Sequence, residues 1–222
     1  VHYVASWKHP EGSLAGLPNL AAIFSLGAGV DHLFADTRLP DVPIARVVDP
    51  DLTTRMSEYI VLHCLIYLRQ QRRYDRQQAG KSWDDDRNQP AARSVRVGIM
   101  GLGELGQDAA RTINATLLAG LAQGGRLGGP FLINAGRGGL QIEADILAAL
   151  DAGTLKGATL DVFETEPLPA ESRLWTHPAV TVTPHNAAMS EPEAIATLIA
   201  AQIRRLEAGE PLEHGVDPAR GY

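Results

Sequence analysis

Short apolar segments alternate with amphipathic segments along the chain, and this alternation predicts strands and helices in turn. In the first half, three short apolar runs predict strands, at residues 1–7, 20–26 and 42–48. A helix is expected to begin near Arg55, with Thr53 or Thr54 as its cap, because apolar residues recur at helical spacing beyond it. The charged run 69–73 at the end of that pattern is interpreted as a solvated helix end, and the polar segment 81–92 as a linker.

The second half of the chain also alternates short apolar segments with amphipathic segments. Four further apolar runs predict strands, at residues 95–100, 131–135, 158–163 and 179–183. A helix is predicted from Glu143 to Ala152, closed by Gly153. The sequence 190–193 is typical of a capping box and predicts a helix that ends near Gly209. Because strands alternate with helices, we expect an α/β protein with parallel sheets.

Composition narrows the classes of function. The net charge is −6 and the pI is about 5.6, which argues against a nucleic-acid or anionic-membrane surface. No apolar run reaches the roughly 20 residues of a membrane span, so no membrane partner is expected. The single cysteine, Cys64, is interpreted as a core thiol and indicates a reducing compartment, so we expect a cytoplasmic protein.

A glycine-rich turn follows the strand at 95–100. Its spacing is that of a dinucleotide-binding turn, with Gly101 for the tight turn, Gly103 for close approach to a pyrophosphate and Gly106 for helix packing. The alternative is a glycine-rich strand–helix turn without a ligand. The position after a strand and before a helical pattern favours the dinucleotide interpretation.

One expected part of a dinucleotide fold is missing after Gly106. Such folds have a second strand whose acidic or basic end contacts the ribose about 20 residues further on, and no such strand follows here. Residues 104–121 could form one continuous helix, since apolar residues repeat every four positions. Alternatively, the sequence joins two segments near Arg111 and Thr112, across a stretch that is absent. We favour the second explanation, because a site for adenosine is otherwise missing.

Three polar motifs each follow a predicted strand. Arg137 lies in the segment 134–138, Glu166 in 161–168 and His185 in 183–188. The carboxyl ends of parallel strands form the crevice where ligands bind, so we expect these side chains at one sheet edge. Arginine can hold a carboxylate and its neighbouring carbonyl, and histidine oriented by a carboxylate can supply a proton near neutral pH. The set therefore predicts hydride transfer to a small 2-keto acid.

Each of these residues also has a structural alternative. Arg137 could be a surface charge, Glu166 a solvated loop carboxylate and His185 an ordinary turn residue. Glu164 is the rival of Glu166. His177 is the rival of His185, but it precedes its strand and should lie at the opposite sheet edge.

Together the motifs resemble those of the D-2-hydroxyacid dehydrogenase family, and most closely its glyoxylate/hydroxypyruvate reductase branch. The resemblance covers nearly the whole chain, from residues 24–31 and 56–59 through the motifs above to the tail 216–222. It implies two Rossmann-like domains with the active site in the cleft between them. The implied bounds are 1–92 for the substrate domain, 93–187 for the NAD(P)-binding domain and 188–222 for a C-terminal return to the substrate domain.

The resemblance also implies roles for individual residues. Arg137 would clamp the substrate carboxylate, Glu166 would support the histidine, and His185 would act as acid/base. Substrate would contact Gly27, Ala28, Gly29, Val30, Arg137 and His185. The cofactor, NADP(H) by resemblance or else NAD(H), would contact Gly101, Gly103, Glu104, Leu105, Gly106, Ala135, Gly136 and Asp161. No metal site is expected.

Family members are usually homodimers, with the helix after residue 54 near the interface, so a homodimer is expected here. This sequence departs from the family pattern in two ways. Family members carry about two more βα units near Arg111 and Thr112, and they have more sequence at the N-terminus. Two other functions remain open. One is a non-catalytic, dinucleotide-sensing binding protein on the same fold, and the other is a dehydrogenase for a larger substrate.

Overall fold

Two separate three-stranded parallel sheets form the framework of the protein. The structure is a computed structural model that describes residues 1–84, 89–99, 113–189 and 191–218. The first sheet has the order β1–β2–β3 and the second the order β4–β5–β6. The strands are β1 (Tyr3–Ser6), β2 (Ala22–Ser25), β3 (Ile44–Arg46), β4 (Phe131–Asn134), β5 (Gly157–Leu160) and β6 (Val180–Val182). The predicted parallel α/β class is confirmed.

The first sheet is covered on both faces by apolar side chains. On one face, Ile23 and Ile44 pack with Leu33 of the short helix α1 (Asp31–Phe34). On the other, Phe24 packs against Ile199 and Ile203 of the C-terminal helix α6 (Pro192–Glu207). Burial of both faces explains why β2 reads as an unbroken apolar run rather than an alternating one.

The second sheet has one larger core. Ala158 and Leu160 of β5 are fully buried there, beside Ile146 of α5 (Glu143–Asp151) and Leu118 of α4 (Ala115–Gly120). Apolar side chains at helical spacing on α5 face this core, and Gly153 follows the helix in the left-handed conformation, as predicted. The remaining helices are α2 (Pro50–Leu68) and α3 (Gln71–Ala79).

Packing divides the chain into two units. One comprises residues 1–54 and 189–222, and the other residues 55–188. The C-terminal helix therefore packs in the same unit as the first sheet. The domain bounds inferred from the sequence, with divisions after residues 92 and 187, stay a prediction about the family architecture.

Helix α2 begins earlier than predicted. Its first residue is Pro50, not Arg55, and neither threonine caps it. The carboxylate of Asp49 instead accepts the backbone N–H of Asp51 at 3.0 Å. A proline in the first turn after an aspartate is a strong start signal, because proline's missing N–H costs nothing there.

The charged run 69–73 is not simply the solvated helix end that the sequence predicts. Helix α2 ends at Leu68, Gln70 is left-handed with φ 53°, and the separate helix α3 follows. Arg72 is not simply solvated, since its guanidinium donates to the carbonyl of Val180 at 2.7 Å.

The predicted core thiol, Cys64, is only partly buried, and this burial raises the pKa of its thiol.

The predicted strand at 95–100 is not observed over its described residues, 95–99. Val97 and Ile99 are 63% and 67% exposed. A strand needs a partner for its backbone N–H and C=O groups. No strand of the described chain pairs with this segment, so its apolar pattern alone does not make it a strand.

Residues 104–121 do not form one continuous helix. Helix α4 begins only at Ala115, after Asn114 in an extended conformation (φ −127°, ψ 178°). The side chain of Asn114 accepts the N–H of Leu117 at 3.0 Å, and Ile113 forms a bridge with Gln141. This N-cap leaves the second explanation, a junction between two segments, as the one that we retain.

The predicted cap of helix α6 is also corrected. Glu191 is its N-cap residue and makes no side-chain cap hydrogen bond, and Pro192 occupies the first turn. Ser190, predicted as the cap, lies outside the described residues. The helix ends as expected, with Gly209 in the left-handed conformation.

Candidate active site

Three loops leave the carboxyl ends of the neighbouring parallel strands β4, β5 and β6. Arg137 lies in the loop after β4, Glu166 in the loop after β5 and His185 in the loop after β6. Because the three strands are adjacent and parallel, their loops emerge at the same edge of the sheet. This edge is where open parallel sheets bind ligands.

His185 and Glu166 are in direct contact. The imidazole Nδ1 lies 2.9 Å from Glu166 Oε2, while Glu166 Oε1 accepts the backbone N–H of Phe163 at 3.2 Å. The two side chains remain 30% and 19% exposed. A carboxylate held in this way orients the ring, so the imidazole is placed to move a proton to or from a ligand.

The structure also places the two rival residues. Glu164 Oε1 accepts the N–H of Glu143 at 2.7 Å, and Glu143 Oε1 accepts the N–H of Glu164 at 2.8 Å. Burial raises the pKa of Glu143 in this arrangement. His177 precedes β6 and faces Asp151, with Nε2 and Oδ1 3.5 Å apart. Both rivals are therefore occupied away from the His185–Glu166 pair.

Asp161 is the buried centre of the turn that carries His185. It is 1% exposed, and its Oδ1 accepts the hydroxyl of Thr183 at 2.5 Å and the N–H of Asn186 at 3.0 Å. Its Oδ2 accepts the N–H of Ala187 at 3.0 Å, and its carbonyl accepts the N–H of His185 at 2.8 Å. Asp161 thus holds the turn from both its side chain and its backbone.

Tyr59 is a site residue to which sequence reasoning assigned no role. Its hydroxyl lies 2.7 Å from Thr183 Oγ1, which connects α2 to Asp161. Burial raises the pKa of Tyr59 to about 12. The only sequence signal was a polar hydroxyl on an apolar helix face, which does not identify its partner 124 residues away.

The loop after β4 is held by buried amide side chains. Asn134 donates to Gln141 Oε1 at 2.7 Å, and Gln141 donates to the carbonyl of Val162 at 3.0 Å. Gly138 lies so close to the β5 loop that a Cβ there would collide with the carbonyl oxygen of Phe163. Arg137 sits in this fixed loop, and its guanidinium donates to the carbonyl of Gly136 at 2.9 Å.

The turn Gly27–Val30 lies in the other packing unit, directly after β2. The hydroxyl of Ser25 donates to the carbonyls of Gly27 and Gly29 at 3.0 and 2.8 Å. A Cβ at Gly27 would collide with the ring of Trp7. The turn is therefore tightly built by its own side chains, and its predicted role in substrate binding stays a prediction.

The glycine-rich turn 101–106 lies outside the described residues, so the structure gives no geometry for its five assigned cofactor contacts. Ala135, Gly136 and Asp161 are described and lie at the carboxyl edge of β4 and β5.

Within residues 1–84, 89–99, 113–189 and 191–218, no group of three metal-ligating side chains is placed to hold an ion. Among the helices in the same ranges, none combines the length and apolarity that crossing a membrane requires.

Together, the parallel sheet and the partly exposed His–Glu pair at its carboxyl edge define an α/β protein with a candidate acid–base site. Residues 112–187 match the family description "D-isomer specific 2-hydroxyacid dehydrogenase, NAD binding domain". Glyoxylate/hydroxypyruvate reductase A of Klebsiella pneumoniae strain 342 is 35% identical, over 99% of this chain and 87% of that reductase. The chain belongs to the D-isomer specific 2-hydroxyacid dehydrogenase family.

Solved structures agree with this assignment. The NADPH-dependent glyoxylate/hydroxypyruvate reductase of Sinorhizobium meliloti, in complex with NADP and sulfate, matches with a TM-score of 0.92 and 42% identity. A D-isomer specific 2-hydroxyacid dehydrogenase of Xanthobacter autotrophicus, in complex with NADPH and MES, matches with a TM-score of 0.88 and 36% identity. Each match covers 100% of this chain and 86% of the solved chain.

The alignment with the Klebsiella reductase contains a large gap. It runs over 281 positions whereas this chain has 222 residues, so at least 59 aligned positions of the reductase face no residue here. The family match begins at residue 112, beside the junction inferred from the sequence at Arg111 and Thr112. These observations support an absent internal stretch at that junction.

Proposed function

We propose that this protein reduces a small 2-keto acid of the glyoxylate or hydroxypyruvate type to the 2-hydroxy acid, with NADPH as the reductant. The observation that carries the proposal is the 2.9 Å contact between His185 and Glu166 at the exposed carboxyl edge of the sheet. The named relatives supply the substrate class, and the solved neighbours with NADP or NADPH supply the cofactor.

His185 is the proton donor of this reaction. When bound, the reduced nicotinamide supplies a hydride to the carbonyl carbon of the keto acid. Negative charge then develops on the carbonyl oxygen, which must take a proton to become the hydroxyl of the product. Glu166 Oε2 lies 2.9 Å from Nδ1 and orients the ring, so we assign proton delivery to Nε2.

Arg137 is proposed to bind the substrate carboxylate. Its planar guanidinium can hold two oxygens at once, and the amide contacts of Asn134 and Gln141 fix the loop that carries it. For the turn Gly27–Val30, the proposal of a carboxylate-binding backbone rests on the family resemblance.

The described residues fit the nicotinamide end of the cofactor. Gly136 is exposed and Ala135 partly exposed at the same sheet edge as His185, so that edge presents backbone groups without a large side chain. We propose that Ala135 and Gly136 contact the cofactor. Asp161 contributes by shaping the turn, since both of its carboxylate oxygens accept hydrogen bonds from the protein.

The decisive test is the loss of reduced-nicotinamide absorbance when purified protein meets glyoxylate or hydroxypyruvate, with NADPH and NADH assayed separately. Turnover preferring NADPH is expected if the adenosine-binding stretch is present in the molecule. Folded protein without turnover with either cofactor would contradict the proposal and support the dinucleotide-sensing alternative. An intact mass equal to the 23.8 kDa of the sequence would show that the stretch is absent from the molecule.

A homodimer is proposed from the surface of α2. Val61, Leu62 and Leu65 are 55%, 54% and 49% exposed on this helix, which is more apolar surface than a solvated helix normally presents. Sedimentation should give twice the chain mass, and Leu62→Glu with Leu65→Glu should give the single chain mass.

We also propose a cytoplasmic location, because the one cysteine indicates a reducing compartment. Fractionation of cells tests this.

A further inference from the structure

Hydrogen-bonded hydroxyl groups connect helix α2 to the turn that carries His185. We call this series, Tyr59–Thr183–Asp161, the hydroxyl relay. The hydroxyl of Thr183 donates its single proton to Asp161 Oδ1 at 2.5 Å. Tyr59 Oη lies 2.7 Å from Thr183 Oγ1, and Thr183 has no second proton to donate to it. Tyr59 is therefore the donor, and the direction runs from Tyr59 to Thr183 to Asp161.

The hydroxyl relay ends at the turn of His185, where the backbone conformation is unusual. His185 has φ 52°, in the left-handed region that disfavours residues with a Cβ. Asp161 opposes this preference by accepting the N–H groups of His185, Asn186 and Ala187. Asp161 therefore supports the backbone conformation from which the imidazole contacts Glu166.

Tyr59 is suited to hold Asp161 through Thr183. Burial raises its pKa to about 12, so the phenol keeps its proton at ordinary pH. Its ring packs against His63, with centroids 4.4 Å apart, which limits the positions open to the hydroxyl. A packed ring with a protonated hydroxyl is a rigid donor.

We propose that Tyr59 and Thr183 are positioning residues that hold the Asp161 carboxylate and thereby keep His185 in the orientation needed to deliver its proton. The proposal rests on the proposed function for its kinetic consequences but not for its structural ones. Tyr59 contacts neither substrate nor His185 through any described hydrogen bond; it acts through Thr183 and Asp161.

Helix α2 supplies a matched control for this relay. Tyr67 lies two turns beyond Tyr59, and its hydroxyl pairs with Thr159 Oγ1 at 2.6 Å in the same way. Thr159 also contacts His63, but it lies within β5 rather than on the His185 turn. Tyr67→Phe therefore removes a similar buried tyrosine–threonine hydrogen bond without touching Asp161.

The first measurement is amide hydrogen exchange at Asn186 and Ala187, whose N–H groups Asp161 accepts. Tyr59→Phe and Thr183→Val should raise both exchange rates about tenfold relative to wild type, the effect expected for one lost hydrogen bond. Thr183→Ser, which keeps the hydroxyl, should restore the wild-type rates. Tyr67→Phe should leave them unchanged even if it lowers Tm.

The second measurement is steady-state kinetics on the same variants. Tyr59→Phe and Thr183→Val should lower kcat about tenfold with KM for keto acid and for NADPH unchanged, and Thr183→Ser should recover kcat. Equal effects of Tyr59→Phe and Tyr67→Phe on exchange and kcat would overturn the proposal, because both would then be stability effects. If Thr183→Val does not fold, Tyr59→Phe against Tyr67→Phe decides alone.

The exchange experiment separates this inference from the proposed function. Wild-type protein without turnover would contradict the proposed function, while the exchange rates would still test the relay. Turnover in wild type with unchanged exchange and kcat in Tyr59→Phe would overturn the relay and leave the proposed function standing.

Discussion

A short histidine–carboxylate hydrogen bond is found in both packing units, His9–Asp36 in the first and His185–Glu166 in the second, and the two pairs differ in what surrounds them. His9 Nε2 lies 3.0 Å from Asp36 Oδ2, and His185 Nδ1 lies 2.9 Å from Glu166 Oε2. The first pair is almost fully buried, with side chains 7% and 3% exposed, whereas the second is 30% and 19% exposed. The hydrogen-bond lengths are nearly the same, so length does not distinguish the two pairs.

The buried pair belongs to a network of hydrogen bonds within the protein. His9 Nδ1 faces Ser6 Oγ at 3.1 Å, so both ring nitrogens have partners within the protein. Asp36 also accepts the N–H groups of Gly12 and Arg38. Ser6, His9 and Asp36 have the residue types of a hydrolytic triad, but Ser6 is 5% exposed and out of reach of a substrate. A histidine–carboxylate pair stabilises a loop when buried and can serve chemistry when exposed.

The largest expected effect comes from replacing the two histidines. His185→Asn should lower kcat by about 10²–10⁴, because it removes the proton donor. His9→Asn should leave kcat near wild type and lower Tm by roughly 2–8 °C, because it disrupts a buried network. Keto-acid reduction and thermal unfolding of both variants measure this. Wild-type kcat in His185→Asn would remove the distinction between the pairs.

A smaller effect is expected from the carboxylates of the active-site loop. Glu166→Gln should lower kcat about 10- to 100-fold, because the charged acceptor that orients the His185 ring is lost. Glu164→Gln is the matched control two residues away, and its side chain caps helix α5 instead. It should change Tm more than kcat. A larger loss of kcat in Glu164→Gln than in Glu166→Gln would mean that the rival supports His185.

The smallest effect is a difference in acid stability. The backbone N–H groups of Arg38 and Gly12, together with the imidazole of His9, hold the pKa of Asp36 below its ordinary value of 3.8. The folded protein therefore favours the Asp36 carboxylate. Its contribution to stability is complete above the unfolded pKa and is lost as the pH falls through the lower folded pKa.

Asp36→Asn should therefore lower Tm near neutral pH, and its difference from wild type should shrink as the pH falls below about 4. Thermal unfolding across this range is the measurement. A Tm difference that stays constant with pH would show that the buried carboxylate is not what Asp36 contributes.

Sequence reasoning predicted the fold better than the ends of its elements. The six described strands of the two sheets correspond to apolar runs, and β2, which is buried at every position, shows the unbroken hydrophobic signature of a strand covered on both faces. The start of α2 was missed by five residues, because Pro50 after Asp49 is a stronger start than a threonine cap. The segment 95–99 was predicted as a strand and is not one in the structure, because pairing depends on neighbours that a local pattern does not contain.

For the candidate site, the sequence by itself determined which strand each polar motif follows, and parallel topology then places the three loops at one edge. Only the tertiary structure shows that Glu166 rather than Glu164 contacts His185, because two carboxylates two residues apart have the same local chemistry. It alone joined Tyr59 to Thr183, since a hydrogen bond spanning 124 residues leaves no periodic trace in either segment. Local patterns record burial and turn chemistry, whereas partner choice depends on distances that exist only once the chain is folded.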